Sequence, residues 1–243
     1  MERDQTFADA VNAAQLPGAV GLIVDREGTR YARAFGAADA LSGAPMQVDT
    51  LVQIASMTKA VTTVAAMQLV EQSRIDLDAP VAHHLPALAD AQVLTGFDES
   101  GQPQLRPAAR PITARHLLTH TSGLSYPFVS AETLRYFVAT GMPAPGTRAS
   151  ITMPLLFDPG EGWEYGVGID WAGLLIEAVT GMTLGAWLAE HVTGPLGMDA
   201  TAFRPAAPDA AAKVHVRLPD GGFGHNPMWL GMGEFEAGGA GLS

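Results

Sequence analysis

The sequence predicts a mixed α/β (α+β) protein: a small α/β piece that opens on an antiparallel hairpin, followed by a mostly helical region. Three observations predict it. Residues 19–24 and 29–35 read as two strands joined by Asp25-Arg26-Glu27-Gly28, a hairpin signal. Residues 60–70 are apolar nearly all round, as a central buried helix would be. Beyond residue 112, short apolar segments begin at Thr, Ser or Asp and two of them end at Gly, the punctuation of successive helices.

Each element follows in order. Residues 5–15 carry Phe7, Ala8, Val11 and Ala14 at helical spacing and close on Pro17-Gly18. After the hairpin, Leu51 to Ile54 form a short extended lead into a helix ending near Gln72. The run Ile75-Asp76-Leu77-Asp78-Ala79-Pro80 turns the chain. Residues 89–111, with Asp98-Glu99-Ser100-Gly101 and three prolines, suggest a surface loop or weak hairpin. Helices are expected at 113–120 (capped by Thr113), 130–140 (capped by Ser130), 170–180 (capped by Asp170, stopped by Gly181) and 183–193 (stopped by Gly194-Pro195). The expected division is residues 1–85 for the first α/β part, 86–230 for the helical part and 231–243 for the Gly-rich start of a further segment.

Composition bounds the function. A hydrophobic share of 47% with 16% charged residues describes a globular chain rather than a disordered one. The net charge of −11 argues against nucleic acid or an anionic membrane as partner. With no cysteine, neither a disulfide framework nor a thiol nucleophile is available. No apolar signal core follows Met1-Glu2-Arg3-Asp4, and no apolar run approaches about 18 residues, so the cytoplasm is the default expectation.

The chemistry concentrates at Gln53-Ile54-Ala55-Ser56-Met57-Thr58-Lys59. Spacing of i,i+3 puts the Ser56 hydroxyl and the Lys59 amine on one face of a helix start, close enough for proton exchange. The first-turn N–H groups have no acceptor within the helix, so that of Ser56 is free to hold a developing oxyanion. Burial would lower a lysine pKa and make a neutral amine attainable. Nine serines and two lysines in 243 residues give a chance S-x-x-K about 0.07 times. A solvated lysine here would oppose the helix dipole in apolar surroundings.

Six stretches, in order, then resemble the serine β-lactamase and penicillin-binding-protein superfamily. They are Leu16-Pro17-Gly18-Ala19-Val20, Ile54 through Ala60, Ile75-Asp76-Leu77-Asp78, His116 through Leu124, Pro159-Gly160 with Tyr165-Gly166, and Pro195-Leu196-Gly197-Met198. The likeness is greatest to the class C-like branch of family VIII carboxylesterases and related polyketide acyltransferases. It implies a β-lactamase-like fold, an antiparallel sheet with flanking helices plus a mostly helical domain. It also implies Ser56 as nucleophile, Lys59 as its proton partner and Tyr165 as the second-motif tyrosine. A phenol becomes a useful base when a neighbouring ammonium favours the phenolate. Class C β-lactamases carry Tyr-x-Asn, whereas this chain has Tyr165-Gly166-Val167. Loss of the amide-binding group at Val167 tilts the expectation from β-lactams towards simple esters. Asp170 is read as a helix cap rather than a triad acid.

Other candidates carry less. His116 and His120 stand i,i+4, but position 117 is Leu rather than Glu and the stretch matches a structural segment, so no metal and no cofactor are expected. His83-His84 read as surface residues, and Ser122 lacks a G-x-S-x-G setting. Tyr126, Phe128 and Trp229 are candidates for an acyl pocket, with ordinary packing as the competing role.

The expected function is a serine carboxylesterase cleaving small-molecule esters through an acyl-enzyme on Ser56. The alternatives are an acyltransferase using the same site, a β-lactamase or D-amino-acid peptidase, and a silent scaffold. Gly238-Gly239-Ala240-Gly241-Leu242-Ser243 looks like the family's turn before its C-terminal strands. That part of the sheet is expected to be missing from this chain, with a second chain or second copy completing it and the oxyanion hole half built.

Overall fold

In the computed structural model, which describes residues 2–226 and 233–243, the chain begins with helix α1 (Glu2–Ala13) and strands β1 (Gly18–Asp25), β2 (Gly28–Asp39) and β3 (Ala44–Pro45). Helix α2 (Thr58–Glu71) follows a 3-10 turn at Ala55–Met57. Next come β4 (Gln92–Phe97), β5 (Pro103–Pro107), α3 (Ala114–Leu118), α4 (Ala131–Thr140), α5 (Gly168–Thr180) and α6 (Leu184–Leu188), which runs on as a π turn over Ala189–Thr193. Strands β6 (His215–Arg217) and β7 (Phe223–His225) come last. The described residues within Met1–Gln53 and Pro205–Trp229 form one compact unit, and those within Ile54–Arg204 and Leu230–Ser243 a second. Among the described residues the chain passes from the first unit to the second after Gln53 and returns to the first at Pro205.

In the first unit β1 and β2 pair antiparallel from Gly18↔Gly36 to Asp25↔Gly28, so the hairpin closes on Arg26-Glu27. A bulge between Ile23 and Val24 shifts the register, and β3 adds to the far side of β2. Helix α1 lies against this hairpin through Phe7, whose ring meets Phe35 edge-on at 4.9 Å. The β6–β7 hairpin is tied to the end of β2 by His225 and Asp39.

The second unit is built on α2 and α5. All nine residues from Gly168 to Ile176 are buried, so α5 is the central helix of this unit. Trp171 buries its indole, and its Nε1–H donates to the Ile151 carbonyl at 2.9 Å. Leu69, Leu117, Ile176 and Leu184 are fully buried around it, each contributing about 1.5–3 kcal/mol by removal from water. Helix α2 differs from expectation: Ala65, Ala66 and Leu69 face inward, but Val64 and Met67 are 49% and 38% exposed. Its neighbours α5 and α6 cover one side only.

The capping residues explain most helix boundaries. Thr113 accepts the His116 N–H in a capping box, and Ser130 accepts from Thr133. Gly181 ends α5 in the left-handed region at φ +74. Asp170, however, is not the cap of α5. The helix starts two residues earlier, with Val167 at the cap position and no side-chain cap, because the Asp170 carboxylate is engaged elsewhere. Residues 89–111 form the β4–β5 hairpin, with Asp98 accepting N–H bonds across its turn and Leu155 pairing with β4. Residues 51–54 belong to no strand. Among the described residues no single helix is long and apolar enough to cross a membrane.

Candidate active site

The S-x-x-K segment is held in a strained start. Ala55 sits at φ +46, a left-handed conformation that costs a non-glycine residue about 1–2 kcal/mol. It swings the chain into the 3-10 turn that presents Ser56 at the surface and runs straight into α2. Lys59, three residues on, is only 9% exposed. Its Nζ lies 3.3 Å from Ser56 Oγ, 3.3 Å from Tyr126 Oη and 2.7 Å from the Gly239 carbonyl.

The last residues of the chain run along the start of α2. Thr62 donates to the Gly238 carbonyl at 2.8 Å, Leu242 N–H donates to Thr58 Oγ1, and Ile54 N–H donates to the Leu242 carbonyl. Thr58 and Thr62 are both fully buried, so these bonds satisfy polar groups that would otherwise destabilise the helix. Asp170, 4% exposed, accepts from Gly239 N–H at 2.9 Å and from the Tyr126 hydroxyl at 3.3 Å. At Gly239 a Cβ would meet Asp170 Oδ2 at 2.6 Å, so glycine permits that approach.

Tyr165 closes the cluster from the other side, its hydroxyl donating to Ser56 Oγ at 2.8 Å. Lys59 Nζ stands 4.7 Å from the Tyr165 ring centroid. Glycine at 166 lets this segment press against Leu124 and Ser125; a Cβ there would lie 2.5 Å from Ser125 Cα. Ser125 also donates to Glu164 at 2.8 Å, which draws the two tyrosine-bearing segments together. The Tyr126 and Tyr165 rings lie 5.5 Å apart. The His120 ring packs on Tyr165 at 4.9 Å.

The two phenols are driven in opposite directions. Burial raises the Tyr165 pKa, but its hydrogen bonding with Lys59 and Ser56 and the Lys59 charge outweigh it, leaving Tyr165 below the ordinary phenol value. For Tyr126, burial, the Asp170 charge and Tyr165 all act upward, so it stays a neutral phenol. Burial also raises the Asp170 pKa, against the Gly239 N–H, the Lys59 charge and the Tyr126 hydroxyl. His120 is lowered, by burial and then by Lys59.

Of the residues singled out in the sequence, Ser56, Lys59, Tyr126 and Tyr165 come together. Phe128, 77% exposed, stacks on Tyr126 at 4.8 Å and stands at the outer edge of the cluster. Val167 is 2% exposed and packed in the core, so it offers no surface to a substrate. Its neighbour Gly166 sets the chain so close to Leu124 that residue 167 turns inward. Trp229 lies outside the described residues. Ser122 is buried and accepts from Leu124 N–H. His116 accepts from Thr113 N–H, while His120 lies beyond the end of α3 at φ +58.

Sequence reasoning missed the roles of Asp170 and Gly239. An acid between Ile169 and Trp171, in the otherwise apolar run from Gly168 to Ile176, was the available signal for Asp170. One group of metal-ligating type occurs among the described residues: Asp39, His215 and His225, with ligand atoms within 4.8 Å of one another. Its atoms are already engaged. His215 Nε2 accepts the Ala40 N–H, Asp39 accepts from Leu41 N–H and Ser42, and His225 Nε2 bonds Asp39 at 2.7 Å. The group pins the β6–β7 hairpin rather than leaving an open coordination site.

The Beta-lactamase family model matches residues 3–243. The acyltransferase mokF of Monascus pilosus is 40% identical over 235 residues, covering 90% of this chain and 57% of the relative. A lovastatin esterase of Penicillium rubens is 38% identical over 224 residues, covering 89% and 55%. A mutant simvastatin synthase (LovD) from Aspergillus terreus superposes with a TM-score of 0.86 at 40% identity, covering 98% of this chain and 62% of that structure. The chain thus spans little more than half the length of these curated relatives. With its β-lactamase-like fold and this match over nearly its whole length, the chain belongs to the Beta-lactamase family.

Proposed function

We propose that this site carries out acyl transfer through an acyl-enzyme on Ser56, with a small carboxylic ester as donor and an alcohol as the preferred acceptor. One observation supports it above the rest: an exposed serine hydroxyl with an amine at 3.3 Å and a pKa-lowered phenol at 2.8 Å. Ionised Tyr165 takes the Ser56 proton as Oγ attacks the ester carbonyl. The tetrahedral adduct collapses, the donor's alkoxide leaves with the proton from Tyr165, and the acyl group remains on Ser56. An acceptor alcohol then attacks, passing its proton to Tyr165; the new ester departs and Ser56 recovers the proton. The Ser56 N–H, at a helix start, is the donor available to the developing oxyanion.

Water in place of the alcohol gives the esterase outcome with the same residues. The relatives favour transfer over hydrolysis as the main activity, since one is named an acyltransferase and another a synthase, beside one esterase. The test incubates the chain with a short-chain nitrophenyl ester and a graded concentration of a simple alcohol. Transfer predicts that new ester accumulates at the expense of free acid while nitrophenol release persists. Free acid as the sole product at every alcohol concentration would leave the esterase, and turnover of nitrocefin but not of the ester would favour the β-lactamase reading.

A further inference from the structure

We propose that Asp170 is a positioning residue for this reaction: from inside the protein it fixes the two acceptors that aim the Lys59 amine at Ser56. The inference rests on the acyl-transfer reading of the Ser56 site. Asp170 belongs to a helix whose first nine residues are all buried, and a carboxylate is kept in such surroundings only when its oxygens are hydrogen-bonded or paired. Both oxygens are used: Oδ1 accepts the Gly239 N–H at 2.9 Å and Oδ2 accepts the Tyr126 hydroxyl at 3.3 Å.

Each of those partners presents a second atom to Lys59. The Gly239 carbonyl takes one N–H of Nζ at 2.7 Å, and the Tyr126 oxygen takes another at 3.3 Å. With two directions fixed, the third N–H faces the side on which Ser56 Oγ, at 3.3 Å, and Tyr165 stand. The direction of the Tyr126 bond matters. Because its proton is given to Asp170, its lone pairs face the amine.

The place therefore demands two acceptors from residue 170. Asparagine has the same shape but only one. In one amide orientation its N–H₂ opposes the Gly239 N–H; in the other it donates to Tyr126 and turns the phenol proton towards Lys59. A purely space-filling role would tolerate that exchange, whereas positioning would not.

The experiment compares the unsubstituted chain with Asp170→Asn, Tyr126→Phe and the double variant. It reads kcat and KM on a short-chain nitrophenyl ester and the rate of Ser56 labelling by a fluorophosphonate. Expected are losses of about 10–100-fold in kcat for each single variant with KM nearly unchanged. The double variant should be no worse than the weaker single, since both cut the same linkage. Asp170→Asn within about 2-fold of the parent, or a double variant whose loss is the product of the singles, would overturn the proposal. If Asp170→Asn fails to fold, Tyr126→Phe carries the test alone, and an unchanged kcat there overturns it equally. No Ser56 adduct on the unsubstituted chain sinks the reading of the site and this inference with it; labelling of the parent and Asp170→Asn at equal rates sinks the inference alone.

Discussion

Replacing Tyr165 by phenylalanine removes one oxygen, the atom 2.8 Å from Ser56 Oγ, and leaves the ring that packs on His120 and Tyr126. Two costs can be set against each other. A positioned general base contributes about 10²–10⁴-fold, or about 2.7–5.4 kcal/mol of the acylation barrier. The hydrogen bond itself contributes about 0.5–1.5 kcal/mol to stability, which in a chain of this size moves the thermal midpoint by about 1–6 °C. The catalytic term wins, so Tyr165→Phe is expected to stay folded at 25 °C while losing at least about 100-fold in acylation. The assay is the burst of nitrophenol release, followed against pH. Because the base is the phenolate and the Tyr165 pKa is lowered, the parent's rate should rise with pH through a midpoint below 10, and the variant should lack that limb. A variant that keeps the same limb and a rate within about 3-fold of the parent would refute the assignment of Tyr165 as base.

Other substitutions read the scaffold. Gly166→Ala drives a methyl into Leu124 and Ser125 and should cut acylation more than it lowers the melting temperature, since Tyr165 is displaced from Ser56; equal activity would show that the backbone yields. Thr113→Ala removes the α3 cap and is expected to cost about 1 kcal/mol in urea unfolding. Leu69→Ala, at a fully buried position, should cost about 2–5 kcal/mol in the same assay. The hydrogen bond from Arg106, then the Ala109 N–H, holds the Asp158 carboxyl at about 2. A depressed folded value means that this group stabilises the fold above the unfolded pKa near 4 and loses that contribution as pH falls towards 2. Asp158→Asn should flatten the acid limb of the stability profile between about pH 4 and 2.

Local signals were legible; distant ones were not. Ser56 and Lys59 lie within one helical turn, so their spacing alone specifies their meeting. Thr113, Ser130 and Gly181 act on their own helices and were readable for the same reason. Tyr165 lies 109 residues from Ser56, and only the ordered motifs brought the two together. Asp170 was misread because its partner Gly239 is 69 residues away and a short acid before an apolar run looks like a cap. The Gly239 carbonyl that receives Lys59 has no side-chain signature at all. Nor does composition disclose the left-handed Ala55 that turns Ser56 outward. Val167 was judged by residue type, while its direction is set by the close approach of Gly166 to Leu124. The apolar run of α2 mistook hydrophobicity for burial on every side, since Val64 and Met67 face outward.

Peptide mapping after exposure to a fluorophosphonate tests the central claim most directly. A nucleophile assembled from Ser56, Lys59 and Tyr165 predicts one adduct, on Ser56, lost in Ser56→Ala and much slower in Tyr165→Phe. An adduct on another residue, or equal labelling of the parent and Ser56→Ala, would contradict it.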